Sequence, residues 1–394
     1  MAHILLLHAS VGMGHQRAAA AIAQALGQLP GVTAQLEDTL DYTHPLFRRS
    51  YRGSYLSLAD RIPGVWSGFY RATDRVFPSR GVFAAARAQY TAFGMRDLCG
   101  LVERARPDAI ICTHFLPVEA LAPLRGYGLP PLACVITDYH AHTFWAVPGA
   151  DSYFAPTPAA RAELIAAGIP AARVSVSGIP IDPSVCQPID RLAVRRALGL
   201  PAWQPIVTLI GSGMPVDRVR ALAQALLARR LPATLVIAMG RNTVLATALA
   251  DLELAAGPAL RLLGPQPSLA PLLAASELVI GKAGGLTVSE VLALGVPMLI
   301  PLPVPGQEQW NVEYVLRAGA GRAHSDAAAL AGDAAELLGS QPRRAAMAAA
   351  ARAASRPHAA MAVAVQVLDR AQAAHAGAWR RPQAATFATE ASVV

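Results

Sequence analysis

Short apolar runs alternate with longer helical segments in the first half of the chain. Five of these runs have the length of buried strands: residues 3–8, 109–112, 132–137, 152–155 and 174–176. The first run leads into a glycine-containing loop at residues 9–14, and an alanine-rich helix is predicted over residues 15–26. Strands that alternate with helices predict a mostly parallel, doubly wound sheet.

The alternation starts again after a proline-rich stretch at residues 180–188, which is typical of a linker. The predicted strands of this second series are residues 206–210, 233–238, 278–280 and 297–300. A tight loop of Gly211, Ser212 and Gly213 joins the first of them to a helix predicted over residues 216–229. Two such series predict an α/β fold of two Rossmann-like, doubly wound domains that face each other across a cleft, with ligands beyond the carboxyl ends of the strands. The predicted domains are residues 1–185, residues 186–345, and a carboxyl-terminal helix with a loosely ordered tail over residues 346–394.

Composition narrows the class of protein. The chain has 394 residues, of which 54% are apolar and 15% charged, so it can bury enough surface to fold. No stretch reaches the roughly 18 uninterrupted apolar residues of a membrane-spanning helix. Residues 1–10 lack the basic flank and cleavage site of a signal peptide, and the four cysteines have no CxxC spacing. These features predict a cytoplasmic protein with reduced thiols.

The formal net charge of +8 comes almost entirely from arginine, since Lys282 is the only lysine. Together with the abundant alanine, this bias is interpreted as a property of the genome. A net positive charge suits binding to nucleic acid or to an anionic membrane surface. The position of the arginines along the chain therefore says more about a binding partner than the net charge does.

One basic segment, residues 44–80, has seven arginines and two aspartates, interleaved with seven large aromatic side chains. This composition is typical of a membrane-surface segment. The alternatives are an arginine-rich helical segment that packs on its own domain, and a surface on which the bases of single-stranded nucleic acid stack. The predicted membrane-facing residues are Arg48, Arg49, Arg52, Trp66 and Phe69.

His15 lies at the end of the first glycine loop, in the run Ser10-Val-Gly-Met-Gly-His. The run has neither GxGxxG spacing nor a P-loop ending, so it is not a simple nucleotide fingerprint. At a helix start the charged imidazole is disfavoured, and the neutral form is the one that a general base needs. The alternative is that His15 only makes a local helix cap.

A second glycine motif, Gly281-Lys-Ala-Gly-Gly-Leu-Thr-Val-Ser-Glu, directly follows a predicted strand. The backbone N–H groups of Gly284 and Gly285 would be open to a phosphate at the start of the next helix. Glu290 has two interpretations that the spacing does not separate. It fits a capping box with Thr287, and its carboxylate also suits the hydroxyl pair of a ribose.

Gln307, Glu308 and Asn311 cluster between a predicted strand and a helix. Neighbouring amide and carboxylate groups suit hydrogen bonds to sugar hydroxyls. A polar loop with a helix cap is the simpler interpretation of this cluster when it is taken alone.

The run Thr137-Asp-Tyr-His-Ala-His closes a predicted strand. Its two histidines and its aspartate are residue types that bind metal ions, so a metal site has to be considered. Histidines at i and i+2 give no defined geometry without a further ligand, however. Asp138, just past the strand end and facing the cleft, is therefore the preferred functional residue, and no metal site is predicted.

Taken together, these motifs resemble the family of monogalactosyldiacylglycerol synthases and processive diacylglycerol glucosyltransferases. The run from His8 to Ala18 resembles the family's opening, a GxGH turn followed by xxA. Later blocks that resemble the family are Thr137-Asp with His142 and Trp145, Tyr153-Phe-Ala-Pro-Thr, and Gly178-Ile-Pro-Ile. Gly284-Gly-Leu-Thr-Val-Ser-Glu, Gly295-Val-Pro, and Pro305-Gly-Gln-Glu with Asn311 resemble its carboxyl-terminal signature, which MurG-type N-acetylglucosaminyltransferases share.

The resemblance implies the GT-B fold, in which the second of two Rossmann-like domains mainly holds the nucleotide sugar. It implies His15 as the catalytic base, with Asp138 as the next residue to consider, and a lipid-facing segment after Tyr42. The resemblance also implies a set of substrate-binding residues. At the diphosphate these are Gly211, Ser212, Gly213 and the backbone of Gly284, Gly285 and Leu286. The others are Glu290 at the ribose, Gln307 and Glu308 at the donor sugar, Gln266 at the uracil, Thr287 and Asn311 beside them, and Gly14.

Two positions depart from the family's pattern. Members usually have an aromatic residue after Gly264 and an asparagine soon after it, whereas this chain has Gly264-Pro-Gln-Pro. The second glycine expected in the loop that starts at Gly211 is Pro215 here, which predicts a different turn.

The resemblance therefore implies an inverting hexosyltransferase that moves glucose or galactose from a UDP-sugar to diacylglycerol without a metal or other cofactor. It implies peripheral attachment to anionic lipid on the inner face of the cell membrane, and no nucleic-acid partner. The alternatives are a MurG-like transferase acting on a lipid-linked peptidoglycan precursor, a UDP-sugar epimerase, and a non-catalytic UDP-sugar-binding protein. A MurG-type opening is normally richer in glycine than the run Ala9-Ser-Val-Gly.

Overall fold

The computed structural model describes residues 1–49, 51, 74, 95–302, 306 and 308–376. The chain divides into two compact units, each with its own sheet. The first unit comprises Met1–Pro183, Pro305–Gln307 and Arg356–Val394, and the second comprises Ser184–Val304 and Glu308–Ser355. Of the predicted membrane-facing residues, Arg52, Trp66 and Phe69 lie outside the described residues.

Within the described residues, the first sheet has six parallel strands in the order β2-β1-β3-β4-β5-β6. The strands are β1 (Ala2–His8), β2 (Val32–Asp38), β3 (Ala109–Cys112), β4 (Leu132–Val135), β5 (Ser152–Ala155) and β6 (Val174–Val176). Leu5 and Leu7 of β1 belong to one apolar cluster, whereas Ile4 and Leu6 belong to another. The central strands are therefore buried on both faces, which explains why they are continuous apolar runs.

Helices follow the strands of this sheet: α1 (Met13–Gly27), α2 (Arg96–Ala105), α3 (Phe115–Leu121) and α4 (Pro158–Ala166). Because the strands are parallel, the loops that follow β1, β3 and β4 lie along the same edge of the sheet. This edge therefore brings together the glycine loop at residues 9–12, the short connection at residues 113–114, and the loop at residues 136–142.

The second sheet also has six parallel strands, in the order β12-β11-β10-β7-β8-β9. The strands are β7 (Ile206–Ile210), β8 (Thr234–Ala238), β9 (Leu260–Leu263), β10 (Leu278–Ile280), β11 (Met298–Pro301) and β12 (Gly321–His324). The helices are α5 (Arg191–Ala197), α6 (Val216–Ala228), α7 (Thr243–Ala256), α8 (Ala270–Ala274), α9 (Gly285–Leu294), α10 (Glu308–Arg317), α11 (Ala327–Gly339) and α12 (Gln341–Ala354). Two Rossmann-like domains were predicted, and two are found.

The last helix, α13 (Ala359–Ala376), returns to the first unit. Its Val363 and Val367 pack in the apolar cluster that holds Ile4 and Leu6 of β1. The units thus differ from the predicted domains in two ways. The boundary between them lies after residue 183 rather than after residue 185, and the predicted region at residues 346–394 does not form a separate unit. Its residues up to 355 stay with the second unit, and α13 covers the first sheet.

Two further expectations concern membrane and redox chemistry. None of the helices formed by the described residues is long and apolar enough to cross a bilayer. The four cysteines, Cys99, Cys112, Cys134 and Cys186, are free thiols.

Candidate active site

The structure places His15 in the first turn of α1, which begins at Met13 rather than at residue 15. Gly12 precedes the helix in an extended conformation, and no side chain caps it. The imidazole of His15 instead reaches the loop after β3, where its Nδ1 lies 3.0 Å from the carbonyl oxygen of Thr113, 98 residues away in the sequence. The interpretation of His15 as a local helix cap is therefore wrong.

The hydrogen bonds of His15 assign the proton to one ring nitrogen. A carbonyl oxygen only accepts, so Nδ1 must donate to Thr113, and in the neutral ring Nε2 then has a free lone pair. The hydroxyl of Thr137 lies 2.9 Å from the same Nδ1, and the hydroxyl of Thr113 donates to the backbone carbonyl of His15 at 2.8 Å. These contacts hold the ring between two loops and leave Nε2 as the atom that can accept a proton.

The surroundings of His15 keep its imidazole neutral. The pKa of His15 is lowered from 6.5 to about 4, chiefly by burial and in smaller part by nearby His8. The hydrogen bond to Thr113 acts in the opposite direction but does not outweigh burial. The rings of His114 and Trp145 lie against the imidazole, with centroids 4.6 Å and 6.1 Å away. A neutral imidazole with an unprotonated Nε2 is the state that a general base requires.

Asp138 and Gly14 lie next to the contacts of His15. Asp138 follows Thr137, whose hydroxyl contacts the imidazole, and it is half-buried in the loop after β4. Gly14 precedes His15 in the first turn of α1 and is also half-buried. The structure therefore brings both predicted catalytic residues to the same edge of the first sheet.

His140 and His142, the two histidines considered as metal ligands, are paired with carboxylates. In His140, Nε2 lies 2.7 Å from an oxygen of Asp74, and Nδ1 lies 3.1 Å from an oxygen of Glu163. In His142, Nε2 lies 3.8 Å from Asp74, and Nδ1 accepts the backbone N–H of Phe144. Within the described ranges, no group of three or more His, Cys, Asp or Glu side chains is arranged to hold a metal ion.

The ion pairs of His140 make the stability of the first unit depend on pH. Burial alone would lower its pKa, but the hydrogen bonds to Asp74 and Glu163 outweigh burial and raise the pKa from 6.5 to about 9. The folded state therefore binds this proton more tightly than the unfolded state does. We expect a stabilisation of up to about 3 kcal/mol, fully present below pH 6.5 and lost as the pH rises through 9.

This expectation is checked by the free energy of unfolding of the wild type and of His140→Gln, measured across that pH range. The difference between the two proteins should shrink as the pH rises, because glutamine cannot ionise. Two curves that stay parallel would show that His140 is not the charged partner of Asp74 and Glu163.

In the second unit, glycine shapes the loop between β7 and α6. Gly213 has a φ of +79°, a left-handed conformation that favours glycine. A Cβ on Gly211 would lie 2.9 Å from Cδ2 of Leu245, so a side chain there would have to displace the buried Leu245. Ser212 is half-buried between them, and Pro215 precedes the first residue of α6. The backbone of this loop can therefore approach a ligand closely.

Lys282 lies beside this loop and was not among the predicted site residues. A Cβ on Gly213 would lie 3.1 Å from its Cε. Its Nζ donates to Oε1 of Glu308 at 2.8 Å, and the Glu308 side chain is only 12% exposed. A Cβ on Gly284 would lie 3.7 Å from the same oxygen, so the two glycine motifs meet at this ion pair. The composition of the chain could have pointed to Lys282 as a site residue, since it is the one lysine in an arginine-rich sequence.

Helix α9 begins at Gly285, with Gly284 as its N-cap and no side chain bonded to its first N–H groups. Thr287 therefore lies inside the first turn, and Glu290 lies in the second turn, where it is 2% exposed. Of the two interpretations of Glu290, the capping box is wrong, because the helix starts before Thr287. The N–H groups of Gly285 and Leu286 remain available to an anion, as the phosphate interpretation requires.

The other predicted donor residues occupy different positions. Asn311 is fully buried in α10, and its amide donates to the carbonyl of Ala283 at 2.9 Å. It therefore supports the loop between β10 and α9 from within the unit. Gln266 is half-buried in the loop after β9. Gln307 lies outside the described residues.

The start of the basic segment is described only in part. Phe47 is buried in the core of the first unit and stacks on Tyr51, so it does not face a membrane. Arg48 pairs with Asp41 at 3.3 Å, and Arg49 is exposed. Arg49 is therefore the described residue that best fits a membrane-facing position.

Two family profiles match the chain, the first within the first unit and the second mostly within the second unit. Residues 15–181 match the family described as monogalactosyldiacylglycerol (MGDG) synthase. Residues 216–363 match the family described as glycosyltransferase family 28 C-terminal domain. The first match includes His15 and Asp138, and the second includes Lys282 and Glu290.

The chain is also similar to named proteins along most of its length. It is 26% identical over 322 residues to a processive diacylglycerol beta-glucosyltransferase of Staphylococcus carnosus, covering 81% of this chain and 80% of that protein. It is 26% identical over 318 residues to the protein of the same name from Bacillus subtilis, covering 80% and 82%.

Solved structures share the fold at lower sequence identity. A UDP-GlcNAc 2-epimerase from Neisseria meningitidis, bound to UDP-GlcNAc, superposes with a TM-score of 0.62 at 15% identity, covering 93% of this chain and all of that one. MurG from Acinetobacter baumannii superposes with a TM-score of 0.60 at 18% identity, covering 94% and all of that chain. These superpositions show the fold: the two parallel sheets with their flanking helices have the GT-B architecture.

Proposed function

We propose that the chain transfers glucose or galactose from a UDP-sugar to diacylglycerol, because it is similar to monogalactosyldiacylglycerol synthases over residues 15–181 and to processive diacylglycerol beta-glucosyltransferases over about 80% of its length. The observation that carries this proposal is the state of His15. Its Nδ1 is committed to Thr113, its ring is held neutral, and its Nε2 can accept a proton. A hydroxyl acceptor needs such a base, whereas a protein that only binds a UDP-sugar does not.

The second unit holds the donor. The N–H groups at the start of α9 and the backbone of the loop from Gly211 to Gly213 would bind the diphosphate. Lys282 adds a positive charge beside that loop. Glu290 would accept from the ribose hydroxyls, and Glu308 would bind the donor sugar. Each of these groups is present before the reaction and so needs no reorganisation as charge develops on the leaving diphosphate.

The first unit holds the acceptor hydroxyl at His15. The acceptor oxygen attacks the anomeric carbon, the bond from that carbon to the UDP oxygen breaks, and the hydroxyl proton passes to Nε2 of His15. Because attack comes from the side opposite the leaving group, the anomeric configuration inverts. The negative charge left on UDP is neutralised by Lys282 and the helix N–H groups, so the reaction requires no metal and no other cofactor.

The acceptor distinguishes this function from its alternatives. The fold is shared with MurG and with epimerases, so it does not discriminate among them. The test is a panel in which UDP-glucose, UDP-galactose and UDP-N-acetylglucosamine are each offered with diacylglycerol or with a lipid-linked peptidoglycan precursor. A glycosylated diacylglycerol is expected; turnover only with the precursor would favour the MurG-like alternative.

We further propose that the protein attaches peripherally to anionic lipid on the inner face of the cell membrane. The support is the exposed Arg49, the exposed Leu46 and the density of arginine and aromatic residues in residues 44–80. An arginine near an anionic surface contributes on the order of 1 kcal/mol, and salt screens this term but not aromatic partitioning. Binding should therefore weaken as salt rises without vanishing.

Replacing Arg48, Arg49 and Arg52 by serine should weaken binding to anionic vesicles by roughly 10-fold or more and leave UDP affinity unchanged. The measurement is co-sedimentation with vesicles of graded anionic content. The control replaces three exposed arginines of the second unit, Arg196, Arg317 and Arg343, which removes the same charge elsewhere. Equal binding to neutral and anionic vesicles, or equal loss in both triple variants, would contradict a membrane role for this segment.

A further inference from the structure

His114 contacts His15 and has no role in the function proposed so far. It is 2% exposed and lies between β3 and α3. Its ring stands at 86° to that of His15, with the centroids 4.6 Å apart, so the edge of one imidazole meets the face of the other. The rings of Phe115 and Trp145 lie 4.2 Å and 6.0 Å from it. His114 is thus one wall of an aromatic enclosure around His15.

The ring of His114 is fixed by a hydrogen bond. Its Nδ1 accepts the backbone N–H of Leu116 at 3.0 Å, which makes His114 the N-cap of α3. Because Nδ1 is the acceptor, the proton of the neutral ring is on Nε2. Protonation of Nδ1 would break the cap, and burial, followed by nearby His15 and His8, holds the pKa of His114 well below its ordinary value. His114 therefore stays neutral and does not compete for the proton that His15 accepts.

We propose that His114 is a positioning residue for His15, which holds the imidazole of the base in place and keeps water away from it. This inference rests on the proposed function, because it deepens the role of His15. The helix cap alone does not require histidine, since asparagine and serine cap helices as well. What histidine adds at this position is the aromatic ring that packs against His15.

The ionisable groups around this pair come from three elements. His8, at the end of β1, contributes a third buried imidazole, whose Nδ1 lies 4.0 Å from Asp38 at the end of β2. Asp138 lies in the loop after β4, next to the Thr137 that contacts His15. Removing the ring of His114 leaves these groups in place, so a change in the titration of His15 would report the loss of the ring.

Two variants separate the ring from the cap. His114→Asn keeps a side-chain oxygen that can cap α3 and removes the ring. His114→Phe keeps a ring against His15 and removes the cap. Positioning by the ring predicts that the asparagine variant changes the properties of His15, whereas a role limited to capping predicts that only the phenylalanine variant is impaired, through lower stability.

The first readout needs no substrate. The pKa of His15 is measured by nuclear magnetic resonance on protein with labelled histidine, with the His15 signal assigned through His15→Asn. In the wild type this signal should not titrate between pH 8 and 5.5. In His114→Asn, water entering the enclosure should raise the pKa of His15 by at least one unit, toward 6.5.

The second readout is turnover. His114→Asn should lower kcat by about 10- to 100-fold with UDP affinity unchanged, because a displaced base reacts poorly. His3→Asn is the matched control, since it removes a histidine at the opposite end of β1, where Thr33 and Gln35 bond to it. An unchanged His15 titration in His114→Asn overturns the inference. A raised pKa without any glycosyl transfer in the wild type keeps the positioning role and contradicts the proposed function instead.

Discussion

Replacing His15 by alanine is expected to lower kcat by about 10²–10⁴ and to leave UDP affinity unchanged. The loss follows from removing the one ring whose Nδ1 is committed to Thr113 and whose Nε2 is ready to accept a proton. UDP affinity should stay the same because the residues proposed to bind the donor lie in the second unit. Turnover is measured by product formation, and affinity by calorimetry.

The pH dependence of the wild type gives a second view of the same residue. The base must be unprotonated, and burial lowers the pKa of His15 to about 4. We therefore expect kcat/KM to stay constant as the pH falls through 6.5, where an enzyme whose base is a histidine of ordinary pKa would already lose activity.

Gln16→Ala is the control for the His15→Ala variant, since it changes the exposed neighbour on the same helix. If His15→Ala kept a rate near that of the wild type, the base would have to be sought elsewhere, first at Asp138.

Replacing Lys282 by methionine is expected to weaken UDP binding by about 10- to 100-fold, since a hydrogen bond to a charged group contributes roughly 1.5–3 kcal/mol. Methionine keeps much of the length of the side chain beside Gly213 and removes only its charge. The carboxylate of Glu308, which is 12% exposed, also loses its partner, so its negative charge stays unneutralised beside the loops proposed to bind the diphosphate. The measurement is calorimetric titration with UDP.

Lys282→Arg distinguishes charge from shape at this position. A Cβ on Gly213 would lie only 3.1 Å from Cε of Lys282, so the wider guanidinium has little room there. We expect arginine to restore UDP affinity only in part. Arg317→Met is the control, because it breaks an exposed ion pair with Glu313 in the same unit. Unchanged UDP affinity in Lys282→Met would limit Lys282 to neutralising Glu308.

The strands that the sequence did not predict share a physical feature. β2, β9 and β12 are all edge strands of their sheets. An edge strand of a parallel sheet is partly exposed, so its sequence is not a continuous apolar run. β2 reads Val-Thr-Ala-Gln-Leu-Glu-Asp, and β12 reads Gly-Arg-Ala-His. The apolar pattern that identifies central strands is absent from both.

The site could be predicted in part, because its glycine motifs are local and its contacts are not. The loop before His15 and the motif at Gly284 are visible in the sequence as strand–glycine–helix runs. The contact of His15 with Thr113 spans 98 residues, and that of Lys282 with Glu308 spans 26, so no spacing rule reports either. Thr287 and Glu290 have the spacing of a capping box, but spacing does not say where the helix begins.

The most direct test of glycosyl transfer is the structure of the product. The wild-type protein is incubated with an α-linked UDP-hexose and vesicles that contain diacylglycerol and anionic lipid, and the lipid fraction is analysed by mass spectrometry and nuclear magnetic resonance. We expect diacylglycerol that carries a hexose in the β configuration, released together with an equal amount of UDP. UDP released without a glycosylated lipid, or an α-linked product, would contradict direct attack by a diacylglycerol hydroxyl with His15 as its base.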